Sequence, residues 1–420
     1  MGRYNSQVTD GCGFYEGLDP FSLVRQFGSP LYLYNERLLR NVMREFLAMC
    51  PYPRLQVNFS AKANSNLAIL QIAKQEGLSV DAMSPGEITM ELAAGYQPED
   101  ILLIANNVSE EEMSFAQDRG VKISVDSLSQ LERFGRLFPG EGVALRINPG
   151  IGAGHHEKVI TGGSKTKFGI NREYIPELKQ ILSKYKLRLA GINQHIGSLF
   201  MEDAPYLEAF SSITEIASHF PGLEFIDLGG GFGIPYGKQK GEKRLNLKSL
   251  GEKLSEFMFD FAKNYGSEPY FKLEPGRYIA AECGILLGSC NAVKNNGPDK
   301  YIGTDIGFNV LARPAMYGAS HEIEVYRNGD KPSTRDEKVT IVGNICETGD
   351  IIAKDVLLPE IFEGDTLGVL DAGAYGYCMS SNYNNRLRPA EVFINLEGNA
   401  VLARKRDELS DLYKGFEGLY

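Results

Sequence analysis

From about residue 55 the apolar positions of the chain fall into a regular beat. Short β-type runs occupy residues 57–61, 79–83, 101–105, 122–126 and 143–147, beginning 21 or 22 residues apart. The segments between them carry helical spacing, as in 67–75 and 85–94. Three further runs follow at wider intervals, at 189–195, 225–228 and 271–273. Eight strand-then-helix units whose strands are apolar on both faces predict an α/β fold, a (β/α)8 barrel of parallel strands. After residue 283 the rhythm changes. Apolar-alternating runs at 284–293, 321–327, 339–342, 366–370, 392–396 and 401–404 follow one another without helices between them. Turn residues at 295–297 and 328–330 separate some of these runs, which predicts an antiparallel β domain. The run 31–35 is a candidate to join it. The expected division is a barrel over 36–282 and a β domain made of 1–35 and 283–420.

Composition narrows the class of partner. The 420 residues carry 44 Lys and Arg against 54 Asp and Glu, a net charge of −10, with no basic run. Nucleic acid and anionic membrane therefore have little electrostatic support as partners. No apolar stretch approaches the roughly 18 residues needed to cross a bilayer, and the N-terminus lacks a signal-peptide pattern. A cytoplasmic protein acting on a small molecule is the expectation. The six cysteines, at 12, 50, 283, 290, 346 and 378, have neither the close spacing of a metal site nor the density of a disulfide scaffold. No metal is expected.

Barrel chemistry sits at the C-terminal ends of the strands. At those ends stand Lys62, Asp81 and Ser84, Asn106, Asp126, Asn148, His195, the glycines at 229–231 and Glu274-Pro-Gly-Arg277. Lys62 and His195 interrupt otherwise apolar strands. A lysine in such a place is either an amine nucleophile toward an aldehyde or a partner for phosphate or carboxylate; its local sequence leaves both open. The run Asp227-Leu-Gly229-Gly-Gly-Phe-Gly233 is neither a dinucleotide fingerprint, since Ile234 holds the last glycine position, nor a P-loop. It and Gly276-Arg277 follow strands seven and eight, where barrels bind phosphate. A phosphorylated aldehyde that condenses with lysine is pyridoxal 5'-phosphate, PLP. Glu274 is placed to face its ring nitrogen, and His195 to stack on its ring.

These residues belong to longer motifs. Ala61-Lys62-Ala-Asn-Ser-Asn66, His195-Ile-Gly-Ser198, Gly229-Gly-Gly231, Glu274-Pro-Gly-Arg277, Arg313-Pro-Ala-Met-Tyr317, Cys346-Glu-Thr-Gly-Asp350, Gly373-Ala-Tyr375-Gly and Met379-Ser-Ser-Asn-Tyr383-Asn occur in this order. With them the chain, from about residue 25 to 405, resembles the fold-type III PLP-dependent decarboxylases, and within them the diaminopimelate decarboxylases. Residues 154–169 resemble a mobile loop of that group. Departures flank the motifs, at Gln194, Leu199, Phe200, Asn344 and Thr348.

The resemblance implies that Lys62 holds PLP covalently. It implies that Gly230, Gly231, Gly276 and Arg277 present backbone N–H groups to the phosphate, with Tyr375 and Ser198 in support. Asp81 and His195 belong to the same cofactor site, and Glu274 keeps the ring nitrogen protonated. Cys346 is implied as the proton donor to Cα, supplied across a homodimer that shares two active sites. Arg277, Arg313, Tyr317, Glu347 and Tyr375 are implied as substrate ligands. Charge favours a dicarboxylate, because two buried arginines facing ornithine or lysine would lack a partner. The implied reaction is decarboxylation of meso-2,6-diaminopimelate to L-lysine and CO2, the last step of lysine biosynthesis. The alternatives are a related decarboxylase for carboxynorspermidine, a siderophore precursor or another basic amino acid, a racemase on the same barrel, and a catalytically inactive PLP-binding relative. Glu274 speaks against the racemase, which usually sets Arg at that position, and Lys62 with Cys346 against the last.

Overall fold

A computed structural model describes residues 2–4, 7–151, 163, 166–327 and 336–418. Most of the 154–169 segment and the turn at 328–330 lie outside the described residues. The chain divides into two compact units: Val42–Ile234 with Arg244–Ile279, and Met1–Asn41 with Pro235–Lys243 and Ala280–Tyr420.

The first unit is a closed barrel of eight parallel strands: Leu55–Ser60, Ser79–Ala82, Ile101–Ile104, Lys122–Val125, Gly142–Arg146, Arg188–Asn193, Phe225–Asp227 and Tyr270–Leu273. The last closes on the first through the register Phe271 opposite Leu55 and Leu273 opposite Val57. Each strand is short and mostly buried, as helices over the outer face require. The helices between begin where the chain offers a side-chain acceptor to exposed amides. Asn66, Ser84, Ser109 and Ser127 each accept from a first-turn N–H, and Ser109 with Glu112 forms a reciprocal capping box.

One feature of the barrel departs from the apolar reading. Arg146, Asn193, Asp227, Lys272 and Gln56 lie side by side in register on strands five, six, seven, eight and one. Barrel interiors are ordinarily filled by branched aliphatic layers. Here one register row is polar, and Arg146, Asn193, Asp227 and Lys272 are all buried.

The second unit carries a ten-stranded sheet. Leu31–Asn35 joins it, antiparallel to Gly284–Asn296 and parallel to Ala390–Ile394. Its core strands are buried at successive positions, and alternate residues, Leu31 and Leu33, Ile285 and Leu287, Val392 and Ile394, point into one cluster with Phe14, Tyr15 and Tyr326. The sheet is mostly antiparallel but mixed, since Asp299–Thr304 also runs parallel to Asp336–Val342. Gly297, at φ +60°, turns the hairpin into that strand. Asp299–Thr304 and Ile351–Pro359 escaped the apolar pattern because their faces are largely exposed, with Lys and Asp among the aliphatics.

Candidate active site

A parallel barrel places all its strand C-termini at one end, so Lys62, Asp81, His195, the glycine run and Glu274 share that end. Lys62 lies in the single 3-10 turn Ala61–Ala63 that follows the first strand. Its positive charge acts on Asp81, Glu274 and His195, which ties the four groups into one electrostatic cluster. Asp81 is fully buried and its Oδ2 accepts from the Ser60 hydroxyl at 3.2 Å. Burial and the nearby Glu274 hold its carboxyl well above the usual carboxylate range.

Glu274 is 3% exposed, and burial together with Asp227 raises its pKa strongly. Asp227 beside it is raised to about 6, chiefly by burial. Glu274 Oε1 and Asp227 Oδ2 have no hydrogen-bond partner, while Asp227 Oδ1 accepts from Gly229 N–H at 2.9 Å. His195 Nδ1 accepts the Gly230 N–H at 3.1 Å, so its proton belongs on Nε2. Burial, Lys62 and Arg146 keep the ring neutral. Its 3.9 Å approach to Glu274 Oε2 is therefore not an ion pair.

The phosphate-side residues meet as expected in part. Arg277 Nη2 donates to Ser198 Oγ at 3.0 Å. Gly231 adopts φ +105°, and a Cβ there would fall 2.4 Å from Gly197 O. Gly276 passes Lys62's own turn so closely that a Cβ would lie 2.9 Å from that of Ala63. Both turns need glycine, Gly231 to pass the Gly197 backbone and Gly276 to pass the Ala63 side chain.

Three barrel residues of this cluster went unread in the sequence: Arg146, Asp227 and Lys272. Arg146 is buried, lies 4.5 Å above the Phe168 ring, and feels Glu274, Asp126 and Asp227. Lys272, also buried, is pushed down to about 8 by desolvation against the pull of Asp227. Each is a charged residue inside an apolar strand rather than after it. That was the available signal.

The remaining candidates belong to the second unit. Arg313 opens the short helix Arg313–Tyr317 and is 2% exposed. Its Nη1 lies 2.7 Å from His321 Nε2, and its guanidinium stacks 4.5 Å above the Tyr236 ring. Tyr317 is half-buried at the end of that helix. Tyr375 is half-buried with φ +55°, a conformation rarely adopted outside glycine. Cys346 and Glu347 stand exposed on a loop. Asp350 shapes that loop, accepting from Ile345 N–H and Phe308 N–H, both at 2.7 Å. Cys346 N–H donates to Asn384 Oδ1 at 2.8 Å, and Glu347 Oε1 accepts from Tyr383 OH at 2.6 Å.

The barrel-end residues fit PLP. A lysine amine sits among groups that control its surroundings, a buried acid has an oxygen with no partner, and two backbone turns are free of side chains where strands seven and eight end. The Lys62 amine would attach the cofactor, Glu274 would meet its ring nitrogen, and the turns at 229–231 and 276–277 would take its phosphate.

Comparison with known proteins agrees. The family described as pyridoxal-dependent decarboxylase, pyridoxal binding domain, matches residues 37–281. Diaminopimelate decarboxylase of Methanothermobacter thermautotrophicus is 43% identical over 409 residues, 95% of this chain and 94% of that protein. A crystal structure of diaminopimelate decarboxylase superposes with TM-score 0.86 at 32% identity, over 93% of this chain and 94% of that one. The Helicobacter pylori enzyme complexed with L-lysine gives TM-score 0.85 at 28% identity, over 94% and 98%. Among the described residues no helix is long and apolar enough to cross a membrane. The chain belongs to the pyridoxal-dependent decarboxylases, within their diaminopimelate decarboxylase family.

Proposed function

We propose that the protein is a PLP-dependent carboxy-lyase that converts meso-2,6-diaminopimelate to L-lysine and CO2, the closing step of lysine biosynthesis. The observation that carries the chemistry is Glu274, buried beside Asp227 at the barrel end with Lys62 and with its Oε1 lacking a hydrogen-bond partner. Bound PLP supplies an electron sink for the pair of electrons that the departing carboxylate leaves on Cα. The chain supplies the rest. Lys62 anchors the cofactor and yields its place to the substrate amine. Glu274, raised by burial and by the nearby Asp227, would hold a proton where a pyridine nitrogen needs one. His195, neutral and fixed through Nδ1 by the Gly230 amide, offers a flat apolar face. Asp81 and Arg146 complete the charge balance, and Ser198, Gly230, Gly231, Gly276 and Arg277 serve the phosphate.

Decarboxylation at Cα ends with replacement of CO2 by a proton on that carbon. Cys346 Sγ delivers it as general acid. Arg313 reads the distal carboxylate, with Arg277, Tyr317 and Tyr375 adding donors and Glu347 accepting from the distal ammonium. A guanidinium can take a second carboxylate bidentately, which favours a dicarboxylate over ornithine or lysine. The functional domains run over 36–282 and over 1–35 with 283–420.

We also propose a cytoplasmic homodimer in which Cys346 and Glu347 of one chain serve the barrel of the other. Their exposure on a single chain supports this, since a proton donor to one carbon works only when covered. The test is CO2 release from meso-diaminopimelate, ornithine, lysine and carboxynorspermidine by protein loaded with PLP. Preference for meso-diaminopimelate by at least about a hundredfold in kcat/KM is expected. Faster release from carboxynorspermidine or ornithine would overturn the substrate assignment.

A further inference from the structure

A histidine braces Arg313. His321 is 6% exposed, and its two ring nitrogens face groups of opposite kind. Nδ1 lies 2.7 Å from the carbonyl oxygen of Leu370, which can only accept. Nε2 lies 2.7 Å from Arg313 Nη1, which can only donate. Both bonds can form in one state of the ring alone, the neutral tautomer with hydrogen on Nδ1 and a bare Nε2. A protonated ring would set an N–H against the guanidinium. Tyr236 closes the arrangement, packing edge-on to His321 with centroids 5.3 Å apart and lying face-on beneath the guanidinium. Leu370 follows the sheet strand Thr366–Val369, so the brace is anchored on rigid backbone.

A flexible arginine side chain at the start of a five-residue helix is thereby fixed through a ring that has no internal freedom along the Leu370-to-Arg313 line. The remaining N–H groups of the guanidinium keep a set direction. We propose that His321 is a positioning residue for substrate selection: as an Nδ1–H imidazole it orients Arg313 toward the distal carboxylate, and it touches neither substrate nor cofactor. This rests on the reading of Arg313 given above.

The test uses the PLP-loaded enzyme and two competitive inhibitors. L-Lysine carries the aminocarboxylate that survives the reaction; cadaverine lacks it. His321→Leu should raise the KM for meso-diaminopimelate and the inhibition constant of L-lysine about tenfold, with kcat changed less than about threefold and cadaverine unaffected. His321→Gln, whose amide oxygen can accept from Arg313, should recover most of that loss. Adding Arg313→Ala to His321→Leu should cost no more than Arg313→Ala alone, because both remove one interaction. In 15N-histidine-labelled wild type, the His321 ring should carry its proton on Nδ1. A His321→Leu enzyme that discriminates L-lysine from cadaverine as wild type does, while Arg313→Ala does not, would overturn the brace and leave the Arg313 reading intact. If Arg313→Ala itself keeps the discrimination, it is the Arg313 reading that fails. Should His321→Leu not fold, an Nε2–H ring in wild type, or loss of discrimination in His321→Gln equal to that of Arg313→Ala, would overturn the proposal.

Discussion

The barrel end and the Cys346 loop handle reactive groups in opposite ways. At the barrel end Asp81, Asp227 and Glu274 are buried, and all three are pushed toward the protonated form. On the loop, Cys346 and Glu347 face solvent, and the order comes from the Asp350 and Asn384 hydrogen bonds beneath them. Burial changes what a group is; the loop only fixes where a group stands. The barrel therefore tunes protonation by burial, whereas the thiol is left exposed.

Four outcomes break or sharpen this contrast. The largest concerns Lys62. Lys62→Ala should lose turnover by at least about 10⁴-fold, as removal of a covalent nucleophile does, and borohydride reduction of wild type should fix the cofactor at this residue. A colourless wild-type protein that takes up no PLP would remove the chemical basis of the barrel cluster.

Cys346→Ala should retain cofactor and substrate binding but lose roughly 10²–10⁴ in kcat, the range for a positioned general acid. Mixing Lys62→Ala with Cys346→Ala subunits should regenerate one intact site per heterodimer. No recovery after subunit exchange would place both residues in the same chain's site and deny the loop its partner surface.

A third outcome separates burial with a task from burial without one. Glu91, on the helix Pro85–Ala93, is fully buried, neither carboxyl oxygen has a partner, and desolvation with Asp81 and Glu87 raises it to about 9. Its folded pKa exceeds the unfolded value near 4.5, so the folded state keeps a proton that the unfolded chain releases. Stability therefore falls as pH rises from about 4.5 to about 9. Glu91→Gln should be more stable than wild type by up to about 3 kcal/mol at pH 7, with the gap closing near pH 4.5. Urea unfolding at the two pH values measures it, and a constant difference would mean that Glu91 does not titrate with folding.

The smallest effect is at Arg313. Arg313→Ala should lower kcat/KM for meso-diaminopimelate about ten- to a hundredfold while leaving PLP binding unchanged, and Arg313→Lys should rescue poorly, since an ammonium lacks the planar fork. Equal small losses on meso-diaminopimelate and on lysine offered as substrate would mean that Arg313 does not read a second carboxylate.

Legibility in the sequence followed the physical origin of each feature. The eight strands were visible because burial on both faces demands continuous apolar runs, and observed ends fall within a few residues of those read from the pattern. Lys62, His195 and Glu274 were visible because a polar residue ending such a run is conspicuous. Arg146, Asp227 and Lys272 were not, since a charge within a three- to five-residue strand blurs into its polar flank. His321 offered no signal either: its importance lies in Leu370 and Tyr236, 49 residues after it and far before it in the chain, which meet it only on folding.

Periodicity and local motif, properties of neighbours along the chain, determined the barrel, the change to a β domain and the order of the reactive residues. Tertiary structure alone decided protonation and aim. Which carboxyls are raised, which histidine is neutral and on which nitrogen, and where a guanidinium points depend on burial and on partners brought together from distant segments. Desolvation and hydrogen-bond geometry act through space, and the linear order of residues does not encode either until the strands are in register.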